Sequence, residues 1–237
     1  MQRRNNIKNL IDLRVWLVLV FSVTSFNFAS ATDFSFSIYG GFNKAGHSSV
    51  SFAGAFEDYG INNGKYSVEG WEGKSFESPI YYGYRMGFPL SNKPALKIAI
   101  DFNHSKVKAK RLPGNLKRLE FTDGLNTLTL NLLYTFENFF DFKANVSPYV
   151  GAGFGLAYPH VDVEGVPGKN GKTYDYQHTG FAYQLMVGME HKLANSWKTF
   201  AEYRITYTPI DADLKGGGSI KTDILNNQVS IGLGYIF

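Results

Sequence analysis

The sequence predicts an all-β fold, an eight-stranded antiparallel up-and-down transmembrane β-barrel. Three observations carry this reading: segments of apolar–polar alternation recur along the chain, charge is confined to one side of that alternation, and the connections alternate between long and short. Period two marks a strand whose two faces meet different surroundings, and about 9 to 11 residues cross a bilayer at a tilt.

Residues 1–31 read as a secretory leader that precedes a barrel domain over 32–237. Arg3, Arg4, Lys8 and Arg14 come before an apolar run at 15–23, and Ala29, Ser30 and Ala31 supply the small residues of a cleavage site. The run is too short to span as a helix, and no later stretch approaches the roughly 20 apolar residues that spanning requires. With Asp12 counted, the leader holds +3 of the formal +4 and leaves the barrel near +1. Such a balance gives no reason to expect a nucleic-acid partner. The absence of cysteine excludes disulfides, thiolate metal sites and a cysteine nucleophile.

Strands are predicted at 33–43, 79–88, 95–104, 125–136, 147–158, 180–192, 197–207 and 224–237. Residues 89–94 and 194–196 are turn-like, whereas 44–78 is a long loop bearing Gly and Ser. Short periplasmic turns and long external loops are the asymmetry expected of an outer-membrane barrel. The final segment, from Val229 to Phe237, alternates strictly and ends on an aromatic, the kind of terminal strand that outer-membrane assembly machinery recognises. The outer membrane and that machinery are therefore expected partners.

Taking every second residue from Phe34, Ile80, Leu96, Leu128, Pro148, Phe181, Trp197 and Val229 through each segment meets no Asp, Glu, Lys or Arg. The intervening positions hold Arg85, Lys97, Asp101, Glu190, Lys198, Glu202 and Arg204. A Lys or Arg facing lipid at mid-depth costs about 2 to 4 kcal/mol, which accounts for the sorting. A soluble lipocalin-like barrel would turn its apolar face inward. Here Gly83, Gly87, Gly151, Gly153, Gly155, Gly188, Gly232 and Gly234 all fall on the polar face, where a crowded lumen needs small residues. Phe88, Tyr134, Phe136, Trp197, Tyr235 and Phe237 cluster at the predicted periplasmic edge, with Tyr183 and Tyr207 toward the other, as in an aromatic girdle. The inward charges read as partnered structural ion pairs in a closed lumen rather than as an acid–base site.

Familiar nucleotide and hydrolase motifs are missing. The run of Gly151, Gly153 and Gly155 lacks the glycine at 156 and the strand-to-helix turn of a dinucleotide fingerprint, and no G-x-S-x-G nucleophile elbow occurs. Chemistry-bearing residues gather where strands meet long loops. Asp101 and His104 end the third strand, Glu120 and Asp123 lead into the fourth, and His160 and Asp162 leave the fifth. These strands are neighbours in a closed barrel, so the side chains can converge at the external rim. Imidazole and carboxylate together suit a divalent ion with an open position. The competing reading is that they are solvated or cap turns. His47, His178 and His191 have no such company.

The segments WEGKSFE (71–77), DFNHSKV (101–107), LEFTDGLNTLT (119–129), PYVGAGFG (148–155) running on to PHVDV (159–163), and DADLKGGGS (211–219) resemble the lipid A oxidase family of outer-membrane proteins. The resemblance covers most of the mature chain, and its loop-proximal segments are the discriminating part. It implies an oxygen-dependent enzyme of lipopolysaccharide modification. Such an enzyme converts the proximal glucosamine of lipid A, once the 1-phosphate is gone, to 2-aminogluconate with release of hydrogen peroxide.

No side chain here carries two electrons, so a redox-active or divalent metal ion is the expected cofactor. Placement assigns His104, His160 and Asp162 as metal ligands, Glu120 and Asp123 as catalytic groups, and Lys74 and Trp71 as lipid A contacts. A non-enzymatic OmpA-type barrel, acting as adhesin, surface antigen or structural protein, is the alternative.

Overall fold

The computed structural model describes residues 34–90, 93–137, 139, 145–194 and 196–237; the expected leader at 1–31 lies outside them. Its strands are β1 (Ser35–Ala45), β2 (Ser48–Ala53), β3 (Gly64–Val68), β4 (Trp71–Glu72), β5 (Tyr82–Leu90), β6 (Lys93–Ala109), β7 (Arg118–Thr135), β8 (Val146–Ala157), β9 (His160–Glu164), β10 (Lys172–Tyr176), β11 (Gly180–Lys192), β12 (Trp197–Asp213) and β13 (Ser219–Ile236). Among the described residues no helix is long and apolar enough to cross a membrane.

Eight of these strands close a ring. β1 pairs antiparallel with both β5 and β13, and antiparallel pairings run on from β5 through β6, β7, β8, β11 and β12 to β13. Closure leaves no unpaired edge in lipid, as a spanning sheet requires. The apolar side faces outward, with Ile38, Leu132, Leu185 and Ile231 at least half exposed. At the end of the barrel bearing the chain terminus Phe34 and Phe237 stack at 4.4 Å and Trp197 meets Tyr235 edge-on at 5.1 Å.

The polar side is packed shut. Arg85 and Arg204 each contact both Asp101 and Glu202 at 2.6–3.2 Å, and Tyr39 and Tyr149 donate to those carboxylates at 2.6 and 2.7 Å. Below this quartet Lys97 and Lys198 share Glu190 at 3.2 and 2.8 Å. Each charged group has an opposite partner, which is the condition for burying it. Gly83 shows the crowding, since a Cβ there would stand 2.1 Å from the Tyr39 ring.

Four strands run farther than apolar alternation predicts, because pairing continues after lipid contact has ended. β6 and β12 reach 17 residues, β7 and β13 reach 18. In these extensions the inward face changes from polar to apolar, through Val107, Leu119, Phe121, Ile210, Ala212 and Ile220. They pack with Phe52, Tyr59, Trp71 and Val163 from the connecting segments into a second core. The segment expected as a long loop at 44–78 thus holds β2, β3 and β4, and caps the polar lumen with a hydrophobic lid.

Candidate functional site

The outer face of β5, β6 and β7 becomes polar one step above the lipid-facing band. Tyr82, His104 and Asn126 are lateral neighbours across these strands. Each lies two residues beyond an apolar outward position, Tyr84, Phe102 and Leu128 respectively. Alternation therefore puts them on the same outer face as those residues.

A bulge then delivers the carboxylate. Ser105 pairs with Leu125 but Val107 with Phe121, so 122–124 form an irregularity in β7. Gly124 takes φ +126° there, and a Cβ would come within 2.5 Å of Asn126 Oδ1 and 2.7 Å of His104 Nδ1. Only glycine accepts both the conformation and the contact. Asp123 is thereby presented beside the imidazole.

The remaining wall comes from a hairpin that alternation over 147–158 does not reveal. β9 pairs with β10, placing Tyr176 opposite His160 and Tyr174 opposite Asp162. Pro79, Tyr82, Phe102, His104, Asp123, Asn126, His160, Tyr174 and Tyr176 line an open cavity of about 440 Å³. His160 lies edge-on to Tyr174 at 4.2 Å and to Tyr176 at 4.7 Å, and His104 stacks on Tyr82 at 4.8 Å.

Hydrogen bonding fixes the state of the groups. His104 Nδ1 lies 2.8 Å from the acceptor Asn126 Oδ1 and so donates to it, while Nε2 is buried without a partner. His160 Nδ1 is likewise buried and without a hydrogen bond, 3.6 Å from Asp123 Oδ2. Tyr174 donates to the same Asp123 oxygen, a bond that raises the phenol pKa, and Tyr176 donates to the Asp123 carbonyl at 2.8 Å.

Of the residues expected from sequence, His104, His160 and Asp123 meet in this cavity. Glu120 and Asp162 do not line it. Asp162 accepts from Arg118 Nη1 at 2.8 Å, and Glu120 sits between Lys108 at 3.3 Å and Arg118 at 3.7 Å. Burial raises the pKa of Asp162 despite that arginine. Trp71 is fully buried in the apolar lid, its indole donating to Ser48 Oγ at 3.0 Å, and offers no surface to a ligand. Lys74 is shared by Glu72 and Glu77, each at 3.1 Å.

Two unpartnered imidazole nitrogens and a carboxylate fit a divalent ion in donor chemistry. Among the described residues, however, no three His, Cys, Asp or Glu side chains stand close enough to hold one as they are. The donor set that fits is His104, His160 and Asp123, without Asp162. Sequence reasoning missed Asn126, Tyr82, Tyr174 and Tyr176. The alternation of Tyr174 with Tyr176, across the glycines at 165, 168 and 171 from His160 and Asp162, was the available signal.

Residues 15–237 match the family described as outer membrane protein beta-barrel domain. The chain belongs to that family. It is accordingly a protein of the bacterial outer membrane. Among solved structures, the outer membrane protein OprG from Pseudomonas aeruginosa is 15% identical, with 86% of this chain and 95% of that one covered at a TM-score of 0.51. Neisserial surface protein A is 15% identical over 86% and 97% of the two chains, at 0.45. The outer membrane protease OmpT from Escherichia coli is 11% identical over 88% and 98%, at 0.40. At such identities the likeness to OprG concerns the fold alone. Comparison with curated proteins returned no match.

Proposed function

We propose that this barrel is an oxygen-dependent oxidase acting on the proximal glucosamine of lipid A and producing 2-aminogluconate. One observation carries the reading: His104, His160 and Asp123 share an aromatic-walled cavity on the outer face of the barrel, immediately above the lipid-facing band. A lipid whose tails lie against Phe102 and Tyr84 would bring its sugar to that height. Aromatic rings pack against the apolar faces of a sugar, while Asp123 and Asn126 offer hydrogen-bond partners for its hydroxyls.

The reaction removes two electrons and two hydrogens from C1 of the hemiacetal. The C1 hydroxyl proton passes to Asp123 or to an unprotonated imidazole nitrogen. The C1 hydrogen and electron pair pass to dioxygen, the proton held by that base completes hydrogen peroxide and frees the base, and water opens the resulting lactone to the carboxylate. Tyr174 and Tyr176 hold Asp123 in place as proton acceptor. A redox-capable divalent ion held by His104, His160 and Asp123 would supply the electron path to oxygen.

Mass spectrometry of lipid A from cells with and without the protein tests the reading. A gain of one oxygen atom, dependent on air and abolished by a chelator, is expected. An unchanged lipid profile would leave a non-enzymatic surface barrel in its place.

A further inference from the structure

A larger concavity, about 700 Å³, lies on the outer face of β12 and β13. The end of β11 adds Phe181 and Tyr183 to it, and in the ring it is separated from the candidate site by β8 on one side and by β1 on the other. Its lower wall is the top of the lipid-facing band, where Phe181, Tyr183, Tyr207 and Leu225 are all more than two-fifths exposed. Its upper wall is polar, built where β2 pairs with both β13 and β3, so that Ser51 stands opposite Lys221 on one side and Lys65 on the other. Tyr207 donates to Asp223 at 3.1 Å, and Lys221 pairs with Asp211 at 2.7 Å.

Thr179 adds an unsatisfied group to this wall. Its residue is 6% exposed, and its hydroxyl is buried without a hydrogen-bond partner. A buried hydroxyl left unpaired is costly, so the position favours a ligand that supplies a partner.

We infer that this concavity is a second, non-reactive site for the saccharide headgroup of an outer-leaflet glycolipid of the lipid A class. An occupant must be apolar at its lower end and polar above. It must also offer hydroxyls to Ser51 and Thr179 and a flat apolar sugar face to Tyr207 or Tyr183. Two lysines and two aspartates line it, Lys221 pairing with Asp211 and Asp223 accepting from Tyr207, so the wall carries no excess of positive charge and neutral hydroxyl recognition outweighs capture of a bare phosphate. The site lacks the paired imidazoles of the β6–β9 cavity, so binding without turnover is expected. The choice of lipid A as occupant rests on the oxidase reading; labelling of this concavity with none near His104 would sink that reading and leave this site standing.

The test uses lipid A carrying a photoreactive diazirine on its glucosamine, presented to the barrel in phosphatidylcholine nanodiscs, with adducts mapped by mass spectrometry. Labelling of 48–51, 179–183 and 207–211 is expected. It should be lost in Ser51→Trp, which fills the concavity, and reduced in Thr179→Val, while labelling near His104 and heat-modifiable folding persist. Three results would overturn the inference. These are labels spread evenly around the rim, labels that survive both substitutions, and equally strong marking of the same residues by phosphatidylglycerol with the same headgroup diazirine.

Discussion

His160 Nδ1 stands 3.6 Å from Asp123 Oδ2, although the two residues belong to separate excursions from the barrel. Asp123 is carried by the irregularity in β7 and His160 by a strand that begins only after β8 has left the ring. Two local departures from regular pairing therefore build the cavity, and each can be tested separately.

Substituting His104 or His160 by Ala, or Asp123 by Asn, removes a proton acceptor or a ligand. Oxidation of lipid A should fall by about 100-fold or more, in line with the loss of a positioned acid–base group. Heat-modifiable mobility on gels should be unchanged, since none of the three belongs to the lumen network or the apolar lid. Full activity in all three variants would eliminate this cavity as the reaction site.

Gly124→Ala forces a side chain into the contact with His104 and Asn126 at a backbone conformation that disfavours it. The expected result is a sharp loss of turnover with a modest stability cost of about 1 to 3 kcal/mol. Equilibrium unfolding in lipid vesicles, read beside the lipid A assay, separates the two effects.

Arg204→Met leaves Asp101 and Glu202 with Arg85 alone in a closed lumen. Removing one partner of a buried ion network costs about 3 to 5 kcal/mol, because the remaining charge cannot reach water. Lys221→Met, which breaks an exposed pair, should cost at most about 1 kcal/mol. Equal urea midpoints for the two variants would mean that the lumen is wetter than its packing indicates.

Trp71→Ala should destabilise by about 3 to 5 kcal/mol through the cavity it opens in the lid. If the indole only packs, the barrel that does fold retains its affinity for lipid A. A rise in KM at full stability would instead restore Trp71 as a substrate contact.

Lys106 is 2% exposed, and its ammonium donates to the carbonyls of Glu77 and Ser78 at 3.0 and 3.3 Å, next to the Pro79 wall of the cavity. Burial pulls its pKa below the usual 10.5. With the folded value below the unfolded one, the unfolded chain binds the proton more tightly, so stability gains as pH rises through the window just under 10.5. Thermal unfolding across that window should show this gain in the wild type and a flatter profile in Lys106→Met.

The spanning part of the molecule was legible because lipid enforces a simple rule at every second residue. β11 is found at the predicted bounds, and the charges sorted inward from sequence are the ones that meet in the lumen. Above the lipid the rule lapses. The extensions of β6, β7, β12 and β13 carry charge outward and bury apolar groups inward, so a reading tuned to lipid contact stops too early. Glu120 and Asp162 were plausible by proximity, yet Arg118, two residues before Glu120, holds Asp162 and leaves Asp123 to join the histidines.

The sequence by itself determined a membrane barrel, the eight strands of its ring and its facing, and it singled out three of the residues that line the cavity, His104, Asp123 and His160. Periodicity and charge exclusion are local properties, and a bilayer imposes them one residue at a time. Tertiary structure alone decided which rim residues meet. That outcome depends on a two-residue register shift beside Gly124, which leaves no periodic trace in the chain, and on the folding back of β9 and β10, which leaves only the short alternation at Tyr174 and Tyr176.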